Sequence, residues 1–199
     1  MGWFGPPGSL NGLKLVFPSS PDSLWYGSYK LPGCGLLDEC AYNISSIDDK
    51  ASMVAALLEH EMNLLPTKNA KDVFLAGFSQ GAQMTGYMQL AKLPYALGGV
   101  IVMDGFPLPP LGFMPGAPQA AARANASYYG EDMRWMVWQG SADQIFPVGI
   151  TLDTWDGIFS ALGCSDTVKI RHIEQGMTHD VIEPELLQMV QFVRNGTGL

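Results

Sequence analysis

The chain has 199 residues, 47% of them apolar and 15% charged, with a formal net charge of −8; this is the make-up of one globular domain able to bury a sizeable core. The acidic balance excludes a nucleic-acid binder, which needs a basic face, and no run of Lys and Arg offers an electrostatic membrane patch. No apolar stretch approaches a transmembrane length and no secretory leader is legible, so a cytoplasmic protein without stable membrane insertion is expected.

In chain order, residues 14–17 read as a strand ended by Pro18. Residues 19–45 are rich in Gly, Pro, Ser and aromatic side chains and read as a cap-like loop beside a pocket, or as a plain surface connection. A helix is expected from Ser46, with Asp48 and Asp49 in its first turn and Met53, Val54, Leu57, Leu58 and Leu64 on its apolar face. Residues 73–76 form a short apolar run suited to a buried strand, and a helix is expected over 82–91. Residues 99–103 give the next strand, and residues 104–117 a loop dense in Pro and Gly. Its apolar members Leu108, Leu111, Phe113 and Met114 form a second wall of a ligand site or a dimer contact. A strand over 134–138 is followed by a helix over 150–162, with Leu152, Trp155, Ile158 and Phe159 at core spacing. The alternating residues 168–173 read as a strand. The last helix spans 183–194, with Pro184 in its first turn and Leu186, Leu187, Val190 and Val193 inward. Strand and helix in alternation predict a single α/β domain over 1–199, with a mostly parallel sheet covered by helices on both faces. Ligands then bind at the carboxyl ends of the strands.

The chemistry is concentrated in Gly77-Phe78-Ser79-Gln80-Gly81, a G-x-S-x-G pattern between a strand and a helix. That context is what a nucleophile elbow requires, because the turn must expose the serine hydroxyl. A Cβ at Gly77 or Gly81 is expected to crowd the tight turn. Serine is a weak nucleophile without a base, and an acid must orient that base. The chain has three histidines. His60 lies in the first helix and His172 within a strand, whereas His179 follows a strand end in the loop from Gln175. His179 is therefore the expected base. Asp143, just past a strand end, is the expected acid, and Asp104, which ends the neighbouring apolar run, is the alternative. Asp153, Asp156 and Asp166 read as helix-surface or turn residues. The backbone N–H of Gln80 is the expected oxyanion donor.

These segments resemble the acyl-protein thioesterase and carboxylesterase/phospholipase family of α/β-hydrolases. The elbow from Gly77 to Ala82 is similar to that family's G-[FHG]-S-Q-G-[AG] pattern. Residues 139–147 are similar to its [HQ]-G-x-x-D-x-x-V-P acid turn, and residues 174–179 to its base loop. Trp25-Tyr26 resembles its M-x-W-[FY]-D segment, with Gly27 in place of the aspartate. The likeness implies a serine hydrolase acting on small esters, lysophospholipids or S-acylated proteins through Ser79, Asp143 and His179, without cofactor. Trp25, Phe78, Phe146 and Met177 are the expected substrate-binding side chains, forming an apolar acyl pocket. The family's first strand and its His-Gly-Xaa-Gly-Asp loop are not found here, so the chain reads as N-terminally shortened and the second oxyanion donor has no assignment. That departure favours a binding or interaction protein on the same fold; the complete set of triad candidates favours an enzyme, which is the reading adopted. An open sheet edge is the expected route to a homodimer.

The cysteines are Cys34, Cys40 and Cys164, an odd count that fits reduced thiols; Cys34 and Cys40 are near enough in sequence for a small loop disulfide. Asn43, Asn125 and Asn195 head glycosylation sequons that matter only in a secreted chain. No cysteine/histidine cluster has zinc-ligand spacing, so no metal is expected.

Overall fold

The computed structural model describes residues 12–20, 24–26, 42–108, 133–161 and 168–197. Their element order is α1 (Ile44–Leu64), β1 (Phe74–Phe78), α2 (Gln80–Tyr87), β2 (Gly99–Met103), β3 (Trp135–Gly140), α3 (Val148–Ala161), β4 (Val168–Glu174) and α4 (Glu183–Thr197). The four strands form one parallel sheet in the order β1-β2-β3-β4. The register brings the strand ends level: Phe78 opposes Met103, Met103 opposes Trp138, and Gly140 opposes Glu174. Every segment that leaves a strand's carboxyl end thus emerges along one rim.

The strand side chains divide by the two-residue period of extended backbone. Val100, Val102, Trp135 and Val137 join a core with α1, α2 and α3, while Ile101, Met103, Met136 and Trp138 join a second core with Phe192 of α4. Both faces are therefore covered, and all residues of β2 and β3 are buried. Central strands of this kind read as unbroken apolar runs. Of the expected core of α3, Leu152, Trp155, Ile158 and Phe159 are all buried.

Several local expectations are corrected. Residues 13–20 carry no regular secondary structure, and Leu15, Val16 and Phe17 are exposed. The segment is tied to α1 by an ion pair from Lys14 to Glu61. Helix α1 starts at Ile44, two residues before Ser46, because the Asn43 side chain caps it by accepting from the Ser46 backbone N–H at 3.2 Å. Asp48 and Asp49 then fall beyond the first turn. Asp48 accepts from the Tyr87 hydroxyl at 2.7 Å and pairs with Lys92 at 2.8 Å; Lys92 and Tyr87 hold its carboxyl below the usual range. The buried stripe of α1 is Ile47, Ala51, Val54 and Leu58, whereas Met53 and Leu64 are exposed. The helix after the elbow begins at Gln80 and widens into a π turn over Met88–Lys92. There Gln89 donates to the Tyr95 carbonyl and accepts from the Leu97 N–H, each at 3.1 Å, tying the helix end to the approach to β2. In α4 the buried residues are Glu185, Val190 and Phe192, with Leu186, Leu187 and Val193 half-buried. No helix among the described residues is long and apolar enough to cross a membrane.

The expected cap-like loop over 19–45 is described only at 19–20, 24–26 and 42–45. Leu108 is buried, while Leu111, Phe113 and Met114 lie outside the described residues, as do Cys34, Cys40, Cys164, Asn125 and Asp166.

Candidate active site

Ser79 occupies the turn between β1 and α2 with φ 58° and ψ −123°, a conformation that costs a non-glycine residue on the order of 1–3 kcal/mol. The turn is over-determined by its neighbours. The Ser79 N–H donates to the Met103 carbonyl at 3.0 Å, and the Ser79 carbonyl accepts from Ala82 at 3.0 Å and Gln83 at 3.2 Å. A Cβ at Gly77 would sit 2.1 Å from the Gly81 carbonyl oxygen, so only glycine fits there. Gly81 is different. A Cβ at that position would meet only Trp25 Nε1, at an ordinary 3.8 Å, because it points out of the turn rather than into it.

Beside the serine, His179 Nε2 lies 2.9 Å from Ser79 Oγ, and His179 Nδ1 lies 2.9 Å from Asp143 Oδ2. An ionised Asp143 can only accept, so Nδ1 carries the hydrogen and Nε2 is left to accept from the serine hydroxyl. The imidazole rests between two phenyl rings, Phe78 at 4.7 Å and Phe146 at 5.4 Å between centroids. Phe146 also packs edge-on against Phe106 at 5.1 Å.

Asp143 is fully buried at its carboxylate, and its acceptor sites are filled. Oδ1 accepts from the Ile145 N–H at 2.8 Å and the Phe146 N–H at 2.9 Å. Oδ2 accepts from Gln139 Nε2 at 3.1 Å as well as facing His179. Gln139 also donates to the Phe146 carbonyl at 2.9 Å, so it braces both the acid and the aromatic residue beside the base. The loops that carry acid and base are joined to each other. Ser141 N–H donates to the Glu174 carbonyl at 2.9 Å, Ala142 N–H to the Met177 carbonyl at 2.9 Å, and Gly176 N–H to Ser141 Oγ at 2.8 Å. Gly140 permits this contact, since a Cβ there would lie 2.4 Å from the Met177 carbonyl oxygen.

Asp104, the alternative acid, lies behind this pair. It is fully buried at the end of β2, with φ 48°. Its Oδ1 accepts from the Gly140 N–H at 2.7 Å, while Oδ2 has no hydrogen-bond partner. Burial pushes its carboxyl up to about 6. Glu185 of α4 is likewise fully buried with both oxygens unpartnered, and burial, reinforced by Asp104, pushes its carboxyl up to about 8. Asp104, Asp143 and His179 each bring a potential ligand atom within 4.8 Å of the others. Both imidazole nitrogens and every acceptor site of Asp143 are already engaged, so a cation here would have to displace those hydrogen bonds.

The remaining candidates are placed as follows. His60 is exposed on α1, and His172 stacks on Trp138 at 3.9 Å with Nε2 2.9 Å from Glu174. Asp153 and Asp156 are exposed on α3, with Asp156 paired to Arg171 at 2.8 Å. Trp25 is half-buried against the elbow, its backbone N–H 3.4 Å from the Gln80 side-chain oxygen, and the adjacent Tyr26 hydroxyl donates to Gln83 of α2. Met177 is buried in the core that contains Trp138 and Phe192. The Gln80 N–H heads α2, where the first amides have no carbonyl partner within the helix. Sequence reading did not single out Gln139 or Glu185. Gln139 was visible only as one letter of the acid turn, and Glu185 as an ordinary carboxylate in a helix's first turn.

A profile of the phospholipase/carboxylesterase family matches residues 10–195. Among solved structures, the chain is similar to SOBER1 of Arabidopsis thaliana at 19% identity, covering 98% of this chain and 89% of that one with a TM-score of 0.70. It is similar to acyl-protein thioesterase 2 of Zea mays at 18% identity, covering 87% and 72%, with a TM-score of 0.64. It is also similar to the carboxylesterase of Bacillus cereus at 14% identity, covering 86% and 73%, with a TM-score of 0.53. These likenesses show the α/β-hydrolase fold. No curated protein sequence matches the chain.

Proposed function

Since the chain belongs to the phospholipase/carboxylesterase family, we propose that it is a serine hydrolase that cleaves carboxylic ester or thioester bonds through an acyl-enzyme on Ser79. The observation that carries this reading is the continuous run of contacts from Ser79 Oγ through both nitrogens of His179 to Asp143, each link 2.9 Å. His179 takes the hydroxyl proton as Ser79 Oγ bonds to the acyl carbon. The buried Asp143 carboxylate offsets the charge of the resulting imidazolium and keeps the ring oriented. The tetrahedral oxyanion is stabilised by the Gln80 N–H, aided by the positive end of α2. The imidazolium then gives its proton to the departing alkoxide or thiolate. Water, deprotonated in turn by His179, hydrolyses the acyl-enzyme and restores Ser79. Each step uses side chains and backbone of this chain and water, so the proposed reaction invokes no cofactor.

For substrates, the reading favours acyl groups with apolar chains: small esters, lysophospholipids and S-acylated proteins. Trp25, Phe78 and Phe146 supply apolar surface near the serine, and the likeness to a plant acyl-protein thioesterase supports the thioester branch. The test is covalent labelling with a fluorophosphonate probe together with turnover of p-nitrophenyl esters from acetate to decanoate. Labelling confined to Ser79, lost in Ser79→Ala and accompanied by ester turnover, is the expected outcome. A folded wild-type chain that neither labels nor turns over any ester overturns the reading and leaves a binding protein on a hydrolase fold.

A further inference from the structure

β2 lies between the strand that leads to Ser79 and the strand that leads to Asp143. Its carboxyl end is occupied by Asp104, where a structural role alone would be met by a neutral side chain. Its one hydrogen bond, Oδ1 accepting from the Gly140 N–H at 2.7 Å, is one that asparagine reproduces. Yet the position holds a carboxylate with no exposure and a second oxygen left unpartnered. Its backbone is held in the left-handed region, at φ 48°. A buried, half-satisfied carboxylate next to another carboxylate is costly and calls for a reason. One is close by: an Asp104 oxygen, an Asp143 oxygen and a His179 nitrogen lie mutually within 4.8 Å.

We propose that Asp104 is a second acid for His179, a positioning residue that shares with Asp143 the orientation of the imidazole and the offsetting of its positive charge. The proposal rests on the reading of Ser79 and His179 as the reacting pair. When Ser79 gives its proton to Nε2, one positive charge appears on the ring. Asp143 is the hydrogen-bonded acceptor for Nδ1–H, and Asp104 contributes a second negative charge within a few ångströms in a water-poor setting, where such a charge acts strongly. When Asp143 is removed, Asp104, which brings an oxygen within 4.8 Å of a His179 nitrogen, becomes the carboxylate to which the ring can turn its N–H.

The groups that face Asp104 among the described residues are Asp143 from the β3–α3 loop, His179 and the Asp180 backbone N–H from the β4–α4 loop, Glu185 from α4, and the Gly140 N–H from β3; the Asp180 N–H does not reach ordinary hydrogen-bond geometry. Burial and Asp143 raise its carboxyl, and His179 lowers it, to about 6. Asp104 is therefore neutral and electrostatically silent under acid conditions and an anion above neutrality.

The test compares Asp104→Asn in two backgrounds, wild type and Asp143→Ala, by kcat/KM on a p-nitrophenyl ester and by the rate of fluorophosphonate labelling, over roughly pH 5 to 9. In the wild-type background Asp104→Asn should lower kcat/KM by less than about fivefold, and in the Asp143→Ala background by at least about a further fiftyfold, the non-additivity expected of groups serving one function. The single Asp143→Ala enzyme should gain activity with pH more steeply than the double variant, in which His179 alone has to lose a proton. Factors that agree within about tenfold between the two backgrounds, or equally steep pH profiles in the single and double variants, overturn the proposal. Asp143→Asn in the same scheme keeps the comparison if alanine unsettles the acid loop. Melting temperatures separate loss of fold from loss of function. An inactive, unlabelled wild type would instead sink the hydrolase reading itself, so the two failures are distinguishable.

Discussion

Gln139 donates a 3.1 Å hydrogen bond to the carboxylate of Asp143 from within the same strand-and-turn unit, and its side chain is completely buried. The donor amide has a second acceptor, the Phe146 carbonyl. The acid is thus gripped from its own strand before it meets the base. Gln139→Met keeps the volume and removes both bonds. It should lower kcat/KM by about tenfold and stability by about 1–3 kcal/mol, the usual consequence of stranding buried acceptors. Ester turnover and chemical unfolding measure the two effects, and a neutral result in both would show that Asp143 holds its place without Gln139.

The strained backbone of Ser79 separates activity from stability. Ser79→Ala removes the hydroxyl but leaves φ at 58° to a residue with a Cβ. Ser79→Gly removes the hydroxyl and suits that conformation. Both should be inactive toward esters and probe, yet Ser79→Gly should be more stable than Ser79→Ala by roughly 1 kcal/mol after the entropy cost of glycine is counted. Equal unfolding midpoints would mean that the turn relaxes when the hydroxyl is lost.

The two glycines of the elbow should answer very differently to one methyl group. Gly77→Ala places a Cβ 2.1 Å from a backbone oxygen that has no rotamer to retreat to, and should destabilise by about 3 kcal/mol or more or prevent folding. Gly81→Ala meets only the Trp25 indole at van der Waals distance and should fold normally. Thermal melts of the pair decide this.

Glu185 predicts how stability depends on pH. Its carboxyl is raised from an ordinary value of 4.5 to about 8 in the folded chain. Between those values the folded state holds a proton that the unfolded state has released, so stability falls as pH rises across that window. The slope from this one group approaches about 1.4 kcal/mol per pH unit. Glu185→Gln should flatten that decline and raise the unfolding midpoint most at the alkaline end. A variant whose stability-versus-pH curve parallels the wild type would show that Glu185 stays ionised within the fold.

Much of the fold was legible because periodicity reports burial. β2 is bounded as its apolar run indicates, and the four expected core residues of α3 are all inside. Ser79, Asp143 and His179 were legible because each follows a strand end, and a parallel sheet aligns those ends. What escaped depends on contacts between distant segments. Residues 14–17 look like a strand, but a strand needs a partner, and composition does not say whether one is present. The start of α1 turns on one side-chain bond from Asn43. Glu185 sits between Pro184 and a leucine pair, the dress of an exposed first turn, and only the way α4 packs against the sheet hides it. Gly81 was expected to be as crowded as Gly77, because a motif records that glycine is present without recording which way the missing Cβ would point.

The stitching of the 140–143 and 174–177 segments has a mechanical consequence. Acid and base ride on a single sutured platform, whereas the nucleophile stands on the opposite bank, clamped to the end of β2 and the head of α2. Any breathing of this rim parts hydroxyl from imidazole first and leaves the carboxylate–imidazole couple intact, so the weakest joint in the assembly is the one that each turnover must remake.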